Sequence, residues 1–171
     1  MEHPISFFLA GTMQGASKGA EYVDQGYRAE LSQAIRSSYP MAIIHCPLKI
    51  MHDRFGAKEG ALREVHSTLS AMPTIIPAKL PTALREVFDT FHDLLQLAAA
   101  CTVLVACLPN HEPSMGTAME MLAAYRNRRT VITITNMQQN LAVLSTSNII
   151  VSDIHQFDLL LASRWLEADG L

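Results

Sequence analysis

The stretch Val103-Leu-Val-Ala-Cys-Leu-Pro-Asn-His-Glu-Pro-Ser-Met-Gly-Thr-Ala-Met-Glu120 passes from an apolar run, through a turn marked by proline and glycine, into a helix-forming segment. The run over 101–108 is apolar and rich in β-formers, which suits a central strand buried on both faces of a parallel sheet. Pro109, Asn110 and Pro113 end the pairing, because proline lacks a backbone donor and restricts the residue before it. Ser114 suits an N-cap, Gly116 lets backbone approach a ligand closely, and Met115–Arg126 is filled with good helix formers. Strand, turn and helix in this order place a ligand at the carboxyl end of the sheet, beside a helix N-terminus. Glu120 falls about one turn inside that helix, where a carboxylate facing a cleft could serve as nucleophile or base. A solvated surface glutamate is the competing reading.

Working outward, Leu84, Val87, Phe88, Phe91, Leu95 and Ala98 form an apolar stripe, so Thr82–Ala100 reads as a long amphipathic helix feeding the central strand. Asp93 falls opposite that stripe on a helical wheel, on a face left to solvent or to a neighbouring surface. On the far side, Thr130–Thr135 alternates β-branched residues and predicts another strand; residues 136–147 read as loop with a helical turn, and 148–151 as a last short strand. Ser152 and Asp153 supply caps for a closing helix carrying Phe157, Leu160, Leu161 and Trp165.

Toward the amino end, 5–10 reads as a first strand, ended by the loop Gly11-Thr-Met-Gln-Gly15-Ala-Ser17. Its glycines let backbone N–H groups face a ligand, with Thr12, Gln14 and Ser17 available to bond a sugar or phosphate. The spacing is neither that of a Walker loop nor that of a dinucleotide fingerprint. Val23, Tyr27, Leu31, Ala34 and Ile35 predict a helix over 21–37, and 41–46 a second strand that delivers His45 to its end. Residues 48–81 read as a flap or peripheral insertion with a short helix around 61–69, followed by Pro73, Pro77 and Pro81. Strands alternating with helices predict one α/β domain, a three-layer Rossmann or flavodoxin-like sandwich around a mainly parallel five-stranded sheet.

Composition narrows the function. The 171 residues suit a single domain, and a 17% charged content beside 49% hydrophobic residues predicts a globular protein that hides some surface in an oligomer. A net charge of −3 without a basic face argues against a nucleic-acid binder. Cys46, Cys101 and Cys107 are odd in number and two lie in an apolar run, so free thiols and a cytoplasmic setting are expected. The His, Asp and Glu residues of 48–81 show no metal-ligand spacing, so neither a metal nor another cofactor is expected.

Taken together, several motifs resemble the nucleoside 2-deoxyribosyltransferase-like superfamily, and within it the Rcl-type 2'-deoxynucleoside 5'-monophosphate N-glycosidases. Phe8-Leu-Ala-Gly11-Thr-Met-Gln-Gly15 is similar to that family's strand and glycine loop. Asp93-Leu94 resembles its Asp-Leu helix, and Pro113-Ser114-x-Gly116-x-x-x-Glu120 its catalytic segment. Val143-Leu144-Ser145 looks like the segment that gives a serine to the neighbouring subunit's phosphate site.

The resemblance implies Glu120 as nucleophile and Asp93 as the acid assisting the departing base. It implies Gly11, Thr12, Gln14, Gly15, His45, Ser114, Gly116 and Ser145 as substrate-binding residues, in a homodimer or higher homo-oligomer with shared sites. The chain departs from the family at Gln14 and Ser17, where the Rcl type carries arginines, and at Cys101, where the family has aspartate. Fewer charged donors remain for a 5'-phosphate, so a nucleoside with or without phosphate is expected. Two rival functions use the same fold: a non-catalytic nucleotide-binding or sensing domain, and a flavin-binding protein. The first loop lacks the Ser/Thr-rich phosphate pattern of the latter.

Overall fold

The computed structural model of the chain describes residues 4–13 and 25–168. Five strands, β1 (Ser6–Gly11), β2 (Ile43–His45), β3 (Val103–Leu108), β4 (Thr130–Thr135) and β5 (Ile149–Val151), form one sheet. The order is β2-β1-β3-β4-β5 and every neighbouring pair is parallel. The expected α/β sandwich is therefore the observed one. All six residues of β3 are buried, as befits the middle strand of a sheet covered on both faces.

Side chains alternate between the two faces of the sheet. Phe7, Leu9, Val103, Val105 and Ile132 join Leu31 and Ile35 of α1 (Tyr27–Ser38) and Phe157 and Leu161 of α7 (Ile154–Ala162) in one core. Phe8, Ala10, Leu104, Ala106 and Val131 face Leu94 and Ala98 of α4 (Thr82–Ala100), Met121 and Ala124 of α5 (Met115–Arg126) and Val143 of α6 (Leu141–Thr146). From β1 the chain runs out to β2 on one side, then crosses to β3 on the other. The strand order thus reverses between β1 and β3, and the crevice at their carboxyl ends is where open α/β sheets take ligands. Gly11 and Cys107 are paired there.

Four expectations from sequence need correction. The first helix starts at Tyr27, entered through a turn in which the Arg28 N–H donates to the Gln25 carbonyl and the Ala29 N–H to the Gly26 carbonyl; residues 21–24 lie outside the described ones. Residues 48–81 hold two helices, α2 (Pro47–Phe55) and α3 (Glu59–Thr68), with single 3-10 turns, instead of one short helix in a loop. Residues 141–146 form a real helix, capped by Asn140, whose side-chain oxygen accepts from the Ala142 and Val143 N–H groups. The closing helix is broken: Arg164 adopts φ 58, which separates α7 from the short α8 (Trp165–Ala168). Among the described residues, no helix is long and apolar enough to cross a membrane.

Candidate active site

The carboxyl edge of β1 outlasts its neighbour. β2 ends with His45 opposite Phe8, while β1 continues to Gly11. The carbonyl of Ile5 accepts from Ile43 of β2, so by strand alternation the carbonyls of Leu9 and Gly11 point the same way, past the end of β2. Arg28 of α1 replaces the missing strand. Its guanidinium donates to the Leu9 and Gly11 carbonyls and its Nε to Gln25 Oε1, leaving the residue 4% exposed. A buried cation is tolerable only with such partners. Tyr27, beside it, donates its hydroxyl to the Thr12 carbonyl at 3.3 Å and lies 5.1 Å, ring centroid to guanidinium carbon, from Arg28.

Helix α5 brings Glu120 to the same edge. Ser114 is its N-cap as expected: the hydroxyl oxygen accepts from the Thr117 N–H at 3.3 Å and from the Thr117 hydroxyl at 2.9 Å. The Ser114 O–H remains able to donate. Gly116, Thr117 and Glu120 share one face at helical spacing. Thr117 and Glu120 are buried, the latter with 4% exposure. Among the described residues the Glu120 carboxyl has no hydrogen-bonding partner, and its burial pushes its pKa up to about 8, with nearby Arg28 pulling it partly back. Tyr27 is likewise pushed upward, mainly by its own burial and slightly by Glu120. The Thr12 hydroxyl is fully buried and has no hydrogen-bonding partner among the described residues, at the point where β1 ends.

The two glycines differ in what they permit. A Cβ on Gly11 would run into the Tyr27 hydroxyl and come within 2.9 Å of the Cys107 carbonyl. Glycine is required there by the tight approach of α1 and β3. A Cβ on Gly116 would meet only the edge of the Phe91 ring at 3.5 Å, an ordinary contact, so packing alone does not require glycine at that position.

The remaining residues singled out from sequence are placed as follows. Thr12 and Gly11 stand at the edge with Glu120. Gln14 and Gly15 lie outside the described residues. His45 is half-buried at the end of β2, three residues short of Gly11 in the register of β1. Asp93 sits on the exposed flank of α4, where Arg54 of α2 donates to it at 2.9 Å and also to Thr90 Oγ1 at 3.0 Å. Residues two apart on a helix point about 160° apart. Phe91 meets the amino end of α5, so Asp93 faces away from it, and no hydrogen bond links it to Glu120. Ser145 is exposed on α6. Cys101 and Cys107 are buried free thiols, pushed by desolvation to about 11 and about 12. Among the described residues no three His, Cys, Asp or Glu side chains lie close enough to hold a metal ion.

Sequence reasoning missed Tyr27 and Arg28 as site residues. The signal was present, because Arg28 precedes Leu31 by three and Ile35 by seven, on the buried stripe of α1. A charge on an apolar stripe has to be held by something.

No protein-family model matches the chain, and no curated protein does. Solved structures do. A conserved protein from Enterococcus faecalis V583 superposes with a TM-score of 0.55 at 16% identity, over 95% of this chain and 99% of that one. A 2-deoxyribosyltransferase from Bacillus psychrosaccharolyticus superposes with a TM-score of 0.53 at 13% identity, over 90% of each chain. The chain has their fold across nearly its whole length.

Proposed function

We propose that this protein cleaves the N-glycosidic bond of a nucleoside or nucleoside 5'-monophosphate, as a glycosidase or deoxyribosyltransferase. The observation that carries the reading is Glu120: a desolvated carboxyl, on the first turns of α5, near the strand ends where the strand order reverses. The fold shared with a 2-deoxyribosyltransferase supports it. The ionised carboxylate attacks the anomeric carbon as the bond to the base breaks, and the electron pair of that bond leaves with the base. The sugar is then held as an ester on Glu120, which water or a second base resolves. Burial makes the carboxylate a poorly solvated and therefore reactive nucleophile, and Arg28 favours its ionised form. The Ser114 O–H, the Thr12 hydroxyl and the backbone at Gly116 supply neutral donors for sugar hydroxyls or a phosphate. The Arg54 pair occupies Asp93 within one subunit, so its role as acid depends on a rearrangement of α2 or on a neighbouring chain.

An oligomer is part of the proposal. Met115, Met119 and Leu122 recur along the exposed side of α5, and Leu141 and Leu144 are exposed on α6 beside Ser145. Apolar surface of this extent commonly marks an interface. A second copy seated there would bring Ser145 to its partner's site. Sedimentation should show at least a dimer, and Met119→Glu with Leu144→Glu should release monomers.

The test of the reaction is free-base release, followed by chromatography, from ribo- and deoxyribonucleosides with and without 5'-phosphate. Wild type should release base from at least one class, and Glu120→Ala from none. No release by wild type, even with an acceptor base, would favour the non-catalytic nucleotide-binding function.

A further inference from the structure

At the opposite, amino end of the sheet, the chain leaves α5 through Asn127-Arg-Arg129 and enters β4. The turn is a Schellman motif: the Arg128 N–H donates to the Tyr125 carbonyl and the Arg129 N–H to the Ala124 carbonyl, both at 3.0 Å. The residue after the C-cap in this motif takes a left-handed conformation and is usually glycine, which carries no Cβ strain. Here it is Arg128, with φ 57. The chain thus sets a long cationic side chain where local preference calls for none.

That arginine borders a cavity of about 440 Å³ lined by Tyr125, Arg126, Arg128, Arg129, Thr130 and Asn148. The size lies in the range of small-molecule sites. Three of its six lining residues are arginines and none is acidic. Elsewhere among the described residues most exposed cations pair with carboxylates, as in Lys49–Asp53, Arg54–Asp93, Lys58–Glu86, Arg63–Glu59 and Arg164–Glu167. Arg36, Lys79 and Arg85 do not, but those three are scattered along the sequence, whereas the arginines here fall within four residues. Arg126, Arg128 and Arg129 form no ion pair among the described residues. Arg129 is fixed by donating Nε to the Ala99 carbonyl at 2.9 Å, and Asn148 by accepting from the Val131 N–H at 2.8 Å. The carboxyl-terminal dipole of α5, about half a negative charge, offsets only part of three guanidinium charges.

We propose that this cavity binds a small polyphosphate, of the kind carried by a nucleoside di- or triphosphate. Guanidinium groups pair with phosphate oxygens in twos, so three of them around one cavity match adjacent phosphates better than a single carboxylate. The half-exposed Tyr125 ring at its border offers a face on which a base can stack. This site stands apart from Glu120 and does not rest on the glycosidase proposal.

The experiment is isothermal titration at fixed ionic strength with ATP, inorganic pyrophosphate and a single-stranded oligonucleotide as probes. Wild type should bind ATP and pyrophosphate saturably, one per chain. The double variant Arg126→Ala/Arg128→Ala should weaken both by about tenfold or more, while Glu120→Gln leaves them within about twofold. Arg128→Gly separates the ligand from the fold, because it should raise Tm by relieving the left-handed residue yet still weaken binding. Absence of saturable binding by ATP and pyrophosphate, binding indifferent to the arginine variants, binding lost with Glu120→Gln, or binding of the oligonucleotide alone would each overturn the proposal.

Discussion

Glu120 and Asp93 are carboxyl groups on adjacent helices that cover the same face of the sheet, yet their surroundings are opposite. Glu120 is buried over the ends of β1 and β3, with Arg28 and Tyr27 beside it. Asp93 is 57% exposed and paired with a half-exposed Arg54 from the peripheral α2. Water stabilises the charge on the second and is withheld from the first. The difference teaches that helix position alone does not take a carboxylate out of water, whereas the strand ends beneath it do.

The largest effect expected from this contrast is a pH dependence that belongs to Glu120. Its folded pKa, about 8, lies above its ordinary value of 4.5. A raised acid binds its proton more tightly in the folded state, so its contribution to stability is full below pH 4.5 and falls as pH rises toward about 8. Glu120→Gln, which stays neutral, should match wild type near pH 4.5 and exceed it by about 5 kcal/mol, to order of magnitude, above pH 8 in denaturant melts. A constant difference across that window would break the comparison. If ionised Glu120 is the nucleophile, kcat/KM should rise with pH and level off above about 8.

Next comes Arg28→Met, which strands the carbonyls of Leu9 and Gly11 and should cost about 3–4 kcal/mol in stability. It should also move the activity limb to higher pH, since Arg28 lowers the Glu120 pKa. A glycine pair sharpens the picture. Gly11→Ala should cost about 2–3 kcal/mol because the Cys107 carbonyl is backbone and cannot swing away. Gly116→Ala should be neutral or stabilising by up to about 1 kcal/mol, while base release drops if substrate passes close to that backbone. The smallest effect is at Asp93. Asp93→Asn should change stability by less than about 1 kcal/mol, because an exposed pair is screened by solvent. A larger loss in sedimentation-verified oligomer than in monomer would give Asp93 a task at a subunit boundary.

Long, strongly patterned segments were legible in the sequence. The bounds of α4, α5 and β4 emerge residue for residue, because the α4 stripe, the Ser114 cap and the alternation of Thr130–Thr135 each had one reading. Residues 48–81 were less legible. Neither α2 nor α3 buries a broad apolar face, and only Pro47 in them is buried, so no core-facing stripe marked where they begin and end. The break at Arg164 left no mark, since a left-handed arginine carries no composition signal. At the candidate site, the order of strand, turn and helix singled out Glu120 as a candidate, but the pairing that buries Arg28 depends on β2 ending before β1. That is a property of register: the stripe of α1 signals that Arg28 is buried, but not which carbonyls receive it.

The most direct test of the central claim is mass spectrometry of the protein quenched in acid while it turns over a nucleoside that it cleaves. The expected result is a pentosyl adduct confined to the peptide containing Glu120, absent from Glu120→Gln. Base release without that adduct, or with the adduct on another residue, would contradict Glu120 as the nucleophile.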